Sequence, residues 1–80
     1  MKNIDALKNT LTVDYGDVEF SYLGKTAGIE IIANDSVVSY EMWYGDLLNT
    51  YDTVDALLDA VMFNGKSLRQ IANDVDFFFI

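Results

Sequence analysis

The carboxylates are the side chains of this sequence with the greatest capacity for chemistry. Thirteen Asp and Glu residues stand against five Lys and Arg, and the formal net charge of the 80-residue chain is −8. Histidine and cysteine are both absent, which removes the usual zinc ligands, thiol nucleophiles and near-neutral proton shuttles. Because DNA, RNA and anionic membranes are bound through Lys and Arg, this balance favours a basic protein as partner, with no direct contact to nucleic acid or membrane.

Asp52, Asp55 and Asp59 have the spacing of one helix face. Three interpretations are open. The face is solvated, with its first aspartates favouring the positive helix N-terminus; it is a negative stripe that meets basic residues of a partner; or it holds Ca²⁺ or Mg²⁺. The EF-hand pattern is absent, and carboxylates along a straight helix face do not converge on one ion, so we expect no metal site.

A second acidic surface is expected on the sheet, around the single tryptophan. If Val18, Phe20 and Tyr22 face the core, alternation along the strands places Trp43 on the outer face with Glu19, Glu30 and Glu41. Exposed apolar clusters often mark contact surfaces, and tryptophan is enriched at their centres. The alternative is that Trp43 packs beneath a loop formed by residues 45–51.

From these two surfaces we predict a partner-binding site composed mainly of aspartates. Its members are Asp46, Asp52, Asp55, Asp59, Asp74, Asp76 and Trp43.

Enzymatic activity is not expected, and neither is a cofactor. Paired carboxylates can perform acid–base chemistry, as in glycosidases, but a single small core leaves little room for the cleft that they need. The serines have no histidine to act as their base. Gly65-Lys66-Ser67 matches the end of a phosphate-binding loop, but Ala60 stands where that motif requires glycine. A helix C-cap followed by a helix N-cap is the predicted structure at this point.

The hydrophobic period changes along the chain and predicts the elements that position these residues. Ile4, Leu7 and Leu11 form the stripe of a short N-terminal helix. Residues 18–22, 28–33 and 37–44 alternate with the period of strands, and short polar turns join them into an antiparallel meander.

The second half of the chain is predicted to be helical. Thr53 caps a helix that runs to Met62 and ends at Asn64-Gly65, and Ser67 caps a second helix that runs to Val75. The expected fold is therefore a single α+β domain over residues 1–80. It consists of an N-terminal helix and a three-stranded antiparallel β-meander covered on one face by a C-terminal helical hairpin. Residues 77–80 are expected to dock as a short final strand or as a plug.

One set of side chains is expected to be buried together in the core. Its members are Phe20, Ile31, Tyr40, Leu57, Leu58, Val61 and Ile71.

A cytoplasmic location is expected. No apolar run approaches the roughly 18 residues that a membrane span needs, and the first residues lack the apolar stretch of a signal peptide.

Residues 63–71, FNGKSLRQI, resemble the helix–Gly–helix ends of small uncharacterised proteins from Gram-positive bacteria and their phages. The element order and the acidity are also similar to those of small anti-CRISPR inhibitors, which block Cas9 by imitating DNA. This second resemblance is one of layout and charge, without a shared residue motif, and no functional residue is transferred from it. The two resemblances imply phage or prophage origin and an inhibitor that occupies a groove built for phosphates.

The expected function is that of a small acidic interaction module that binds a basic protein surface. A nucleic-acid-binding protein is the partner if the chain imitates DNA. The alternative is a self-associating structural module, a homodimer formed through the outer sheet face around Trp43.

Overall fold

The computed structural model describes residues 3–14 and 16–79. The strands are β1 (Val18–Tyr22), β2 (Lys25–Asn34), β3 (Val37–Tyr44), β4 (Leu47–Tyr51), β5 (Val61–Phe63), β6 (Lys66–Ser67) and β7 (Phe78–Phe79). Five of them form an antiparallel sheet of order β4-β3-β2-β1-β7, and β5 and β6 form a separate two-stranded hairpin. The helices are α1 (Asn3–Asn9), α2 (Val54–Asp59) and α3 (Leu68–Ile71). A π-helical turn over Thr10–Asp14 continues α1, and a 3₁₀ turn over Ala72–Asp74 continues α3.

The structure has the α+β class, but the predicted arrangement of strands and helices is wrong. The sheet has five strands instead of three, and the C-terminal helical hairpin is replaced by two short helices with a β-hairpin between them. Thr53 does cap α2, since its hydroxyl accepts a hydrogen bond from the Ala56 amide at 3.1 Å. The helix then ends at Asp59, because Ala60 has an extended backbone with φ −68° and ψ 130°.

The Asn64-Gly65 pair is a hairpin turn and does not end a helix. Both residues have positive φ, 55° for Asn64 and 82° for Gly65, as the central residues of a type I′ turn must. The strands on either side, β5 and β6, are antiparallel. This turn also removes Val61 from the predicted core: its side chain is 65% exposed, while Met62 and Phe63 are buried.

Positive φ angles at the turns also explain the connections of the main sheet. Leu23 and Gly24 join β1 to β2, and Asp35 and Ser36 join β2 to β3, all with positive φ. Residues 45–51, expected to be a loop, instead contain a turn that begins at Gly45 and the edge strand β4, which pairs with β3. The tight turns fix the register of each pair of strands.

The helices and the inner face of the sheet enclose one hydrophobic core. Phe63 lies at its centre, with ring centroids 4.9 Å from Tyr44 and 5.7 Å from Phe20. The predicted core residues that are indeed buried are Phe20, Tyr40, Leu57, Leu58 and Ile71, whereas Ile31 is partly buried. The side of the sheet that the helices cover is here called the inner face.

Residues 77–79 pack against the sheet, but two of them keep exposed side chains. The ring of Phe77 packs edge-on against Phe20 at 5.2 Å, and β7 pairs with β1 through Phe78–Glu19 and Phe79–Val18. A short final strand is thus present. Phe78 remains 66% exposed and Phe79 47% exposed. Ile80 lies outside the described residues.

Candidate functional site

The side of the sheet that faces away from the helices is here called the outer sheet face. Strand alternation and the observed registers assign its residues. They are Glu19, Ser21, Thr26, Gly28, Glu30, Ile32, Val37, Ser39, Glu41, Trp43, Leu48, Thr50 and Phe78. Several large apolar side chains of this face are open to solvent, among them Leu48 at 57% and Phe78 at 66% exposure. The described helices pack against the opposite face, so none of them covers the outer sheet face.

Trp43 lies flat on this face, across the neighbouring strand. The register places Trp43 opposite Gly28, and a Cβ atom at position 28 would overlap with the six-membered ring of the tryptophan. Glycine is therefore required at position 28 for the ring to approach the backbone. The expected alternative, Trp43 beneath a loop of residues 45–51, is wrong because Leu47–Tyr51 is a strand of the same sheet.

A groove of about 280 Å³ runs beside the Trp43 ring. The lining residues are Glu19, Phe20, Ser21, Thr26, Ala27, Trp43 and Phe78. Its position follows from one row of the register, in which Phe78, Glu19, Gly28 and Trp43 stand side by side on successive strands. The Glu19 side chain thus lies between the Phe78 strand on one side and the glycine that carries the tryptophan ring on the other.

Two glutamates oppose each other directly on the outer sheet face. Glu30 of β2 pairs in register with Glu41 of β3, and like charges directly opposite each other destabilise a sheet. In the part of the chain that the structure describes, no salt bridge joins a Lys or Arg to either glutamate or to Glu19. The pair should therefore oppose the stability of the fold, and no described Lys or Arg forms a salt bridge that compensates it.

The described cations lie elsewhere. Lys8 and Arg69 pair with aspartates of α2, and the Lys25 ammonium lies 5.5 Å from the ring centroid of Tyr44, an inner-face residue. Lys66 belongs to β6. None of these four residues forms a salt bridge with a glutamate of the outer sheet face.

The three aspartates that were expected on one helix face are exposed, but Asp52 precedes α2, and Asp55 and Asp59 are already paired. The Arg69 guanidinium donates from Nε to Asp59 at 2.7 Å and from Nη2 to Asp55 at 3.5 Å, and Lys8 Nζ lies 3.7 Å from Asp55. The hydrogen bond to Asp59 is the main cause that raises the pKa of Arg69. These contacts join α2 to α3 and α1, a role that sequence spacing did not reveal because Arg69 belongs to another element.

The remaining predicted site residues are dispersed. Asp46 lies in the β3–β4 turn, where it lines a cavity of about 540 Å³ together with Lys25 and Asn64. Asp74 ends the 3₁₀ turn, and Asp76 follows it before β7. The structure therefore does not bring the predicted aspartates together with Trp43, which lies on the opposite side of the sheet from α2.

Among the described residues, no group of three or more acidic, His or Cys side chains is placed to hold a metal ion. No described helix is long and apolar enough to cross a membrane. Asp17 has a structural contact, since its carboxylate accepts a hydrogen bond from the Ile31 amide at 3.3 Å and extends the ladder beyond β1.

Comparison with protein-family models gives no match, and comparison with curated proteins and with solved structures gives no significant match either.

Proposed function

We propose that this chain is a protein-interaction module whose outer sheet face binds a basic surface of another protein. The observation that carries the proposal is the Glu30–Glu41 pair, two carboxylates opposed in register without a described cation beside them. A Lys or Arg from a partner would convert this repulsion into attraction at the moment of binding. The pair then stabilises the complex although it destabilises the free chain.

Apolar side chains beside the glutamates supply the other half of a contact surface. Trp43, Leu48 and Ile32 lie on the same face, and the last two are 57% and 37% exposed. Protein interfaces combine an apolar centre that is desolvated on binding with charged groups that set partner choice and association rate. Tryptophan is the residue type most often found to dominate such centres. This mixture supports a basic protein as partner over bare nucleic acid.

The net charge and the positions of the glutamates disfavour a face-to-face homodimer. Each copy carries a formal charge of −8, and stacking two outer sheet faces would bring two sets of uncompensated glutamates together.

Self-association through the edge strand β4 is a second candidate function. Its sequence, LLNTY, contains no charge and no proline, the usual devices that protect an edge from pairing. An edge-to-edge dimer would join β4 of two copies.

A nucleic-acid-binding protein is one basic partner of the proposed kind. In that case the carboxylates of the outer sheet face would occupy positions that phosphates take, and the chain would act as a DNA-mimicking inhibitor. The acidity of the chain and its lack of described cations on this face support the proposal in this sharper form.

Two matched variants test the proposal. The first is Glu19→Gln/Glu30→Gln/Glu41→Gln on the outer sheet face, and the control is Asp52→Asn/Asp55→Asn/Asp59→Asn on the helix side. Each removes the same number of charges, so effects of net charge are equal in both. Wild type and variants are immobilised, incubated with a Gram-positive bacterial lysate at low and high salt, and the retained proteins are quantified by mass spectrometry.

We expect the outer-face variant to lose the basic proteins that the wild type retains at low salt, while the helix-side control keeps them. High salt should release them from the wild type, because exposed charge contacts are screened. Loss with the helix-side control and retention by the outer-face variant would overturn the proposal. It would also assign binding to the α2 aspartates.

A further inference from the structure

We propose that the groove between Trp43 and Phe78 binds the guanidinium group of an arginine side chain from the partner. This inference rests on the proposed function, since it names the group that enters the outer sheet face. It concerns Glu19 and the two rings, whereas the function as proposed above is carried by Glu30 and Glu41.

The register places the lining of the groove side by side. Phe78 and Gly28 occupy the strands on either side of Glu19, and the Trp43 ring lies on Gly28. Trp43, Glu19 and Phe78 therefore line one groove of about 280 Å³, in which a guanidinium group can contact the carboxylate and an aromatic ring together.

The chemistry of the lining also matches this group. Aromatic faces attract cations, tryptophan most strongly, and arginine is the cation most often found there. Glu19 is exposed between Phe78 and the glycine beneath the Trp43 ring, and a carboxylate accepts paired N–H groups from the guanidinium fork. Ser21 and Thr26, opposed in register, add hydroxyl acceptors to the lining. A lysine ammonium lacks both the plane that stacks on an aromatic ring and the fork that uses both carboxylate oxygens.

A cation from another molecule is needed because no described Lys or Arg lines the groove. Lys8 and Arg69 pair with α2 aspartates, and Lys25 lies by the inner-face ring of Tyr44. Charge complementarity therefore selects the occupant of the groove: an arginine on an accessible segment of a basic protein.

The single tryptophan of the chain reports directly on this groove. The probe is the peptide acetyl-Gly-Arg-Gly-amide, titrated at low salt against the intact protein while Trp43 fluorescence is recorded. The matched peptides contain lysine or citrulline in place of arginine, and citrulline keeps the shape but lacks the charge. We expect a saturable change with the arginine peptide, and roughly tenfold weaker binding of the citrulline peptide.

Variants separate the groove from the general charge of the chain. Glu19→Gln and Phe78→Leu should each weaken arginine-peptide binding several-fold, whereas Asp35→Asn, which removes the same charge in the exposed β2–β3 turn, should change it much less. Circular dichroism and thermal unfolding confirm that each variant is folded. Equal weakening by Glu19→Gln and Asp35→Asn would overturn the groove as a defined site, and equal binding of the lysine peptide would overturn the preference for guanidinium.

The outcome also distinguishes this inference from the proposed function. If the arginine peptide leaves Trp43 fluorescence unchanged while Glu19→Gln/Glu30→Gln/Glu41→Gln still loses basic proteins, the groove inference is wrong and the function stands. If that triple variant retains its partners, the function itself is wrong.

Discussion

At the scale of single residues, the outer sheet face contains two features that are unusual in a sheet: directly opposed glutamates, and a tryptophan ring packed on a glycine. A sheet needs no carboxylates opposed in register, and Glu30 and Glu41 are so opposed. It also needs no tryptophan lying over a glycine, because that glycine weakens the strand by its lack of a side chain. The proposed binding to a partner would give the opposed glutamates a physical reason that the stability of the free chain does not.

Glu30→Lys should therefore stabilise the free protein. The substitution replaces a like-charge pair with an opposite-charge pair across β2 and β3, a change worth about 0.2–1 kcal/mol. Urea denaturation followed by circular dichroism measures the free energy of unfolding, and the gain should shrink as salt increases.

Glu19→Lys is the control for the change in net charge. Its register neighbours are Gly28 and Phe78, neither of which carries a charge, so no repulsion between directly opposed residues is relieved. If Glu30→Lys gives no more stability than this control, the opposed glutamates do not repel each other as described.

At the scale of elements, strands and turns were the most predictable part of the fold and helix ends the least. Alternation located the strands that became β1, β2 and β3, and it placed Glu19, Glu30, Glu41 and Trp43 on one face. Val61 and Met62 fit the apolar spacing of α2, so the sequence favoured a longer helix and Asn64-Gly65 was interpreted as its end. In the structure, the preference of Asn64-Gly65 for a hairpin turn outweighs the helical spacing of these two residues.

Long-range contacts were not predictable from the sequence. The salt bridges of Arg69 to Asp55 and Asp59 depend on how α3 packs beside α2. The lining of the groove depends on the pairing of Phe78 with Glu19, two residues that lie far apart in the sequence. No periodic pattern in the sequence predicts either contact, because only tertiary packing brings these residues together.

Asn64→Ala distinguishes a hairpin from a helix at this position by the sign of its effect. Alanine in the left-handed conformation that Asn64 adopts costs about 1–2 kcal/mol, so the hairpin predicts a loss of stability. A helix through this residue predicts a gain, since alanine is the better helix former.

Gly65→Ala should also destabilise, because φ is 82° at this position. Both variants are measured by thermal unfolding, with Asn64→Gly as the control that keeps the left-handed conformation accessible. A more stable Asn64→Ala protein would contradict the β5–β6 hairpin.

At the scale of the whole molecule, charge is divided between two sides of one sheet. On the helix side, Asp55 and Asp59 have Arg69 and Lys8 beside them. On the outer sheet face, the glutamates surround exposed apolar groups without a salt bridge to any described cation. The formal charge of −8 thus has different consequences on each side: cross-element pairing on one, and an unpaired acidic surface around Trp43 on the other.

Ionic quenching of Trp43 fluorescence tests this division most directly, because it requires no partner. An open, acidic face should attract caesium and repel iodide at low salt. The measurement compares the quenching constants of both ions for the protein with those for N-acetyltryptophanamide. We predict that Trp43 is accessible and favours caesium, that Glu19→Gln/Glu30→Gln/Glu41→Gln abolishes the preference, and that Asp52→Asn/Asp55→Asn/Asp59→Asn retains it. Trp43 inaccessible to both ions, or a preference that only the helix-side variant abolishes, would contradict the outer sheet face as the binding surface.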